Sequence, residues 1–159
     1  MSKSLKRVRK ALADAGLDIT PQEMGAETRT AQQAADAAGC HLDQIAKSVI
    51  FAGESTGQAI LFITAGGNLV DKDKATTVAG EALGKADAAL IRTQTGFAIG
   101  GVAPVGHLNP IQAFIDPRLL EFEEIFAAAG TPRHIFPINP DILVKISNAQ
   151  LADFIAIHK

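Results

Sequence analysis

Tyrosine and tryptophan are absent from this chain, and phenylalanine supplies all eight of its aromatic residues. Single-stranded nucleic acids are commonly held on aromatic platforms against which bases stack, so a chain this poor in rings argues against a binder of that type. Cysteine is nearly absent too. Cys40 stands alone, which excludes an internal disulfide framework and fits a reducing compartment, so the expected localisation is cytoplasmic. No apolar run approaches the roughly 18 residues needed to cross a bilayer. The basic start, Lys3 to Lys10, lacks the apolar segment that a secretory signal carries behind its charges. An excess of one charge is missing as well: 15 basic and 17 acidic residues leave a net charge of −2. Contact with nucleic acid would then depend on a local basic patch, and neither DNA nor a membrane is an expected partner.

What is present is an ordinary globular composition, 47% apolar and 20% charged over 159 residues. That length suits one domain over 1–159 with a real core. Leu5, Val8, Leu12 and Ala15 recur at helical spacing and Gly16 follows as a stop. The other side of that helix carries Lys3, Lys6, Arg7, Arg9 and Lys10, either a solvated face or a phosphate-contacting one. Ile19 to Met24 reads as a short strand. Thr30-Ala31-Gln32-Gln33 reads as a capping box opening a helix that ends at Gly39. Ile45 to Ala52 and Gln58 to Ala65 are apolar strands, and Gly66-Gly67-Asn68 is the turn after them. Asp71 caps a helix expected to run through Leu83, with Gly84 behind it. Ala88 to Ile91 reads as extended, and Arg92 to Gly96 as one helical turn. Ala113 to Ile115, Glu124 to Ala128 and His134 to Ile138 are further strands. Asn139-Pro140 opens a helix, and Ser147 is expected to cap a last one ending near Ile157. Consecutive central strands among irregularly placed helices predict an α+β domain of the α/β class, built on a curved mixed sheet.

Two features stand out chemically. The first is the apolar, glycine- and proline-rich stretch Gly96 to His107, which reads either as tight turns between buried strands or as a shaped loop presenting backbone amides. Its end resembles a phosphate-binding P-loop but fails where one works: His107 and Leu108 replace the lysine and hydroxyl, and Asn109-Pro110 discourages the following helix. The second is Lys47, which shares a strand face with Ile45, Val49 and Phe51. A lysine in an apolar row needs a partner, a cleft or a depressed pKa, unless it is an edge residue reaching out to water. No nucleophile with an activating base is evident. Lys47 and Ser48 are adjacent on a strand and point to opposite faces, and Cys40 reads as a filler. His41, His107, His134 and His158 show no metal-binding spacing, so neither metal nor cofactor is expected. An active site here would work by positioning, with water or substrate supplying the attacking group.

Gly100-Gly101-Val102-Ala103-Pro104-Val105-Gly106-His107 resembles the glycine–proline loop of the YbaK / prolyl-tRNA-synthetase-associated editing domains. Gln44 to Phe51 resembles the strand carrying their lysine. The likeness extends in order through Thr30-Ala31, Thr64 to Val70, and Ala127 to Pro137. It implies a compact domain with a curved, barrel-like mixed sheet flanked by helices. It also implies hydrolysis of the ester joining a wrong amino acid to the 3′-terminal adenosine of a tRNA. The resemblance is to the free-standing, trans-acting members. By it, Lys47 contacts the terminal nucleotide near the scissile ester, and Gly101 with its neighbours holds the aminoacyl group through backbone N–H groups. Thr30, Asn68, Gly100, Val102, Ala103, Pro104, Gly106, His107, Ala129 and Gly130 are the substrate-binding candidates. Ala103 and Ala129 depart from some relatives and bear on the shape of the amino-acid pocket.

The expected substrate is an aminoacyl-tRNA acceptor end, with an aminoacyl-tRNA synthetase as a further candidate partner. Ala98, Gly100, Gly101 and Ala103 suggest a pocket for alanine, serine, cysteine or threonine. Two alternatives remain beside this one. One is a tRNA- or synthetase-binding module without hydrolysis; the other is a small-molecule-binding domain on the same fold.

Overall fold

Residues 2–157 of the chain are described by a computed structural model. Eight strands form one mixed sheet: β1 (Gln22–Glu23), β2 (Ile45–Gly53), β3 (Ala59–Ala65), β4 (Leu83–Lys85), β5 (Gln112–Ile115), β6 (Ile125–Ala128), β7 (His134–Ile138) and β8 (Gln150–Leu151). Five helices surround it: α1 (Lys3–Asp14), α2 (Ala31–Ala38), α3 (Lys72–Ala79), α4 (Ala88–Thr95) and α5 (Pro140–Ser147). The sheet runs β1-β7-β6-β2-β3-β5-β8, with β4 paired to β2 beside that path. It is an open sheet rather than a closed barrel, since β1 and β8 end the path without pairing to each other.

β3 lies inside the sheet between β2 and β5 and explains both halves of the core. All seven of its residues are buried, and period-two alternation divides them between two faces. Leu61, Ile63 and Ala65 join Leu5, Val8 and Leu12 of α1, Ile91 of α4 and Leu143 of α5. Ile60 and Phe62 turn the other way, toward Ala75 of α3 and Phe154. There Phe62 meets Phe154 edge-on at 4.9 Å and stacks with Phe114 at 5.4 Å between ring centres.

Local signals set several boundaries as expected. Ser2 caps α1, and Thr30 closes a capping box with Gln33 at the start of α2, both bonds at 3.1 Å. Four expectations need correction. α3 stops at Gly80, whose left-handed conformation (φ +77°) ends it before Leu83; Leu83–Lys85 instead pairs with the end of β2. Ala88 to Ile91 is helical, because Asp87 accepts the Leu90 N–H and caps α4. The strand expected over Ile19 to Met24 shrinks to Gln22–Glu23, held by β7. Ser147 ends α5 rather than starting a helix: its hydroxyl donates back to the Leu143 carbonyl at 2.6 Å, and Gln150–Leu151 then joins β5. His158 lies outside the described residues. Among the described residues no helix is long and apolar enough to cross a membrane.

The basic face of α1 also divides. Lys3, Lys6, Arg9 and Lys10 are exposed, but Arg7 turns inward. Its guanidinium lies over the Phe97 ring at 5.0 Å and donates to the Gly96 carbonyl. Arg7 thereby ties α1 to the start of the glycine–proline loop.

Candidate active site

β2 has a strand on one side along nearly its whole length and on the other side only at its ends. β3 pairs with Ala46 through Ala52, whereas β6 reaches only Ile45 and Ala46, and β4 only Phe51 to Gly53. Between them the edge at 47–50 is left without a strand. A cavity of about 340 Å³ opens on that gap, walled by β2, α2, β6 and the glycine–proline loop.

Lys47 stands at the gap, half-buried. Its ammonium donates to the Gly66 carbonyl at 3.4 Å, a long contact that leaves donors for a ligand. Burial lowers its pKa from the ordinary 10.5, and the charges of Asp116 and Asp43 oppose that shift. Of the alternatives open to a lysine in that apolar row, a cleft, acidic neighbours and a lowered pKa occur here together.

The acidic neighbours also build the turn that receives the lysine. Asp116 is 2% exposed; one of its oxygens accepts from the Ala65 N–H at 3.1 Å and from the Asn68 amide at 2.8 Å. Asp43 accepts from the Gly67 N–H at 2.8 Å and from the Arg118 guanidinium at 3.1 Å. Asn68 therefore serves the turn beside Lys47, and the turn's Gly66 carbonyl is pinned from both sides. Asp43 and Asp116 were not legible as site residues; Asp116 before Pro117 reads as an ordinary turn cap.

Across the gap lies the loop. Gly100 takes φ +92°, and the Arg29 side chain crosses directly over it, so a Cβ there would meet the guanidinium at 2.9 Å. Arg29 is held in turn by Glu27 at 2.9 Å. Gly100 and Val102 line the cavity, and their amides have no backbone acceptor among the described residues. Gly101 is different. Its N–H is donated to the Ala98 carbonyl at 3.1 Å, and its Cα packs against the Thr131 main chain. Gly101 shapes the loop from behind while its neighbours face the cavity.

The structure thus brings Thr30, Lys47, Gly100 and Val102 to one cavity. The remaining candidates lie elsewhere. Ala103 is fully buried behind the loop, Ala129 is buried with its N–H on the His134 carbonyl, and Gly130 packs against Ser4 of α1. Pro104, Gly106 and His107 line a second cavity of about 420 Å³ beside Asn109 and Asn148. The His107 ring donates to the Ala103 carbonyl at 2.7 Å, and burial holds its pKa below 6.5, with Arg7 acting in the same direction. In this structure that histidine braces the loop. Residues lining the first cavity that the sequence did not single out include Arg29, Ile99 and Phe126.

The cavity is therefore bordered by apolar walls, by Lys47 at a strand gap and by the loop residues Gly100 and Val102. That set suits a small apolar group joined to a polar or anionic head. These features define a pocket-bearing α/β domain whose polar groups can orient a carbonyl compound. The aminoacyl-tRNA editing domain model matches residues 25–146, and the chain belongs to that family. It is 31% identical over 144 residues to the uncharacterized protein YwhH of Bacillus subtilis (strain 168), covering 91% of each chain. A crystal structure described as "a putative trans-editing enzyme for prolyl tRNA synthetase" superposes with a TM-score of 0.91 at 44% identity, over 99% of both chains. A scaffold used for epitope backbone grafting superposes equally well, 0.91 at 42% identity, over 99% of this chain and 100% of that one.

Proposed function

We propose that this chain is a trans-acting deacylase that hydrolyses the ester of a small, wrongly attached amino acid at the 3′ end of a tRNA. The observation that carries the reading is the cavity shared by Lys47, Gly100 and Val102. In this reading Lys47 binds a ribose hydroxyl or phosphate oxygen of the terminal nucleotide and sets the ester's register. The amides of Gly100 and Val102 face the ester carbonyl, where each well-placed donor is worth on the order of 3 kcal/mol as negative charge develops. A water oriented by the ribose hydroxyl attacks the carbonyl carbon. The new bond is carbon to water oxygen, the bond broken is carbon to ribose oxygen, and that ribose oxygen leaves with a proton. No acyl-enzyme forms.

The walls favour a small side chain. Ala31, Ala34, Ala46, Ala127 and Ala128 line a cavity of about 340 Å³ that must also admit part of the ribose. Exclusion by size separates a small wrong residue from a larger correct one. The exposed lysines of α1 are proposed to meet acceptor-stem phosphates. The likeness to the trans-editing structure makes a prolyl-tRNA synthetase the candidate protein partner. The test is a panel of mischarged tRNAs incubated with the protein. Release of at least one small amino acid well above the spontaneous rate is expected. No acceleration for any charged tRNA would overturn the reading and leave a binding module.

A further inference from the structure

One charged side chain on the cavity wall has no part in the scheme above. Arg29 lines the same cavity as Lys47, but half of its side chain (51%) is open to solvent, whereas Lys47 is half-buried at the strand gap. The backbone carrying Arg29 is fixed on both sides. Thr28 is buried and donates its N–H and its hydroxyl to the Pro132 carbonyl, at 2.6 and 3.0 Å, and Thr30 closes the capping box of α2. From there the guanidinium folds over Gly100, which has no side chain to obstruct it. Glu27, exposed and off the cavity wall, takes only the Nε–H, at 2.9 Å. The Nη1 and Nη2 groups meet no acceptor among the described residues. Arg29 and Lys47 are the only charged residues among the described ones that line the cavity, and both are cations. A concave wall with two cations and no carboxylate attracts an anionic ligand.

We infer that the Arg29 guanidinium binds the phosphate joining the terminal nucleotide to the one before it, which leaves Lys47 to the ribose beside the ester. The inference rests on the deacylase reading and divides the contacts which that reading gave to Lys47 alone. It follows from matching exposure to the order of groups along the substrate. Amino acid, ribose and phosphate succeed one another outward from the acyl end. With the acyl group between the apolar walls, the phosphate is the outermost of the three. Stripping a phosphate of water is costly, and an exposed guanidinium meets it without burying it. The half-buried ammonium then faces the uncharged ribose. The two free Nη groups offer parallel N–H donors to two phosphate oxygens, a fit that an ammonium does not provide. Because the guanidinium lies against Gly100, a phosphate held there also fixes the substrate relative to the loop.

The experiment takes the mischarged tRNA that the wild type hydrolyses fastest and makes its amide-linked, non-hydrolysable analogue in two forms. In one the last internucleotide linkage is the natural phosphodiester; in the other it is an uncharged methylphosphonate. Binding of both is measured for the wild type, Arg29→Ala and Arg29→Lys. On the phosphodiester, Arg29→Ala should weaken binding about tenfold or more, the loss of one charge-assisted contact. Arg29→Lys should lose less, since it keeps the charge without the fork. On the methylphosphonate, the wild type should bind as weakly as Arg29→Ala, and the substitution should have no further effect. Both variants should melt as the wild type does, because the exposed pair with Glu27 adds little stability. Equal losses from Arg29→Ala on the two linkages would overturn the inference, since the arginine would then act elsewhere, and so would no loss on either. Hydrolysis of the mischarged tRNA by the wild type keeps the deacylase reading intact in both cases. Absence of hydrolysis for every mischarged tRNA would overturn that reading and this inference with it.

Discussion

Replacing Gly101 by alanine probes the loop most sharply, because the expected damage comes from behind the cavity. A Cβ on Gly101 would lie 2.9 Å from the Cα and carbonyl carbon of Thr131 and 3.0 Å from its nitrogen. Those are main-chain atoms, so relief requires the loop to move. Gly101 is not among the residues with positive φ, and the cost is therefore steric rather than torsional. Overpacking of this kind costs about 1–3 kcal/mol of stability. The consequence for rate is larger. Gly101 is bracketed by the two amides proposed to face the ester carbonyl, and misplacing such groups by up to about 1 Å lowers the rate by roughly tenfold to a hundredfold. Val102→Ala is the matched control. It trims two methyl groups from a side chain 7% exposed, costing about 1–2 kcal/mol, and displaces no main chain. The assay is single-turnover deacylation of the best mischarged tRNA, with melting curves to separate stability from rate. Gly101→Ala should be far slower than Val102→Ala at similar stability. Comparable rates for the two would refute the assignment of the loop amides.

Three further outcomes follow from the same geometry. A Cβ on Gly66 would overlap the Leu42 carbonyl oxygen, so Gly66→Ala should lose about 2–3 kcal/mol and raise KM by displacing the carbonyl that receives Lys47; an unaltered melting temperature would contradict this. Burial lowers the Lys47 pKa, so the charged form is present below that lowered value and disappears as pH rises through it. Binding of a non-hydrolysable, amide-linked aminoacyl-tRNA analogue should weaken at a pH below 10.5, the ordinary lysine value, and affinity flat through that pH would count against a binding role for the ammonium. His107 is held neutral, its folded pKa below the unfolded 6.5. Its contribution to stability is therefore full above pH 6.5 and declines as pH falls from there toward the lowered folded value. Thermal melts on either side of that window should show His107→Gln with a shallower acid-side loss than the wild type, and parallel curves would show that His107 carries none of it.

Much of this molecule is legible from local chemistry. Thr30 and Gln33 announce α2, the apolar runs announce β2 and β3, and a lysine among Ile45, Val49 and Phe51 marks its own strand as unusual. What stays hidden depends on contacts between distant segments. Asp116 acts on Ala65 and Asn68 across 51 and 48 residues of chain, and nothing beside Asp116 in sequence points there. Asp87 and Gly80 are short-range signals that compete with apolar pattern: Ala88 to Ile91 looks extended until its cap is weighed. The case of Ser48 is geometric. Strict alternation sends Lys47 and Ser48 to opposite faces, and both residues border one cavity only because β6 and β4 stop short of each other. Chain termination points of neighbouring strands are tertiary facts. The loop is legible as a shaped element, yet its division into cavity-facing Gly100 and Val102, a packed Gly101, and a His107 that braces from another side requires the fold.

The central claim is that Lys47 positions an aminoacyl ester against the loop for attack by water. Its most direct test is single-turnover hydrolysis of the preferred mischarged tRNA by the wild type and by Lys47→Ala, with folding of both verified by melting. Loss of a charge-assisted contact to the substrate, about 1.5–3 kcal/mol, predicts a fall in kcat/KM of roughly tenfold or more, with melting temperature held or raised because a half-buried ammonium has been removed. Equal hydrolysis by the two proteins would contradict the account.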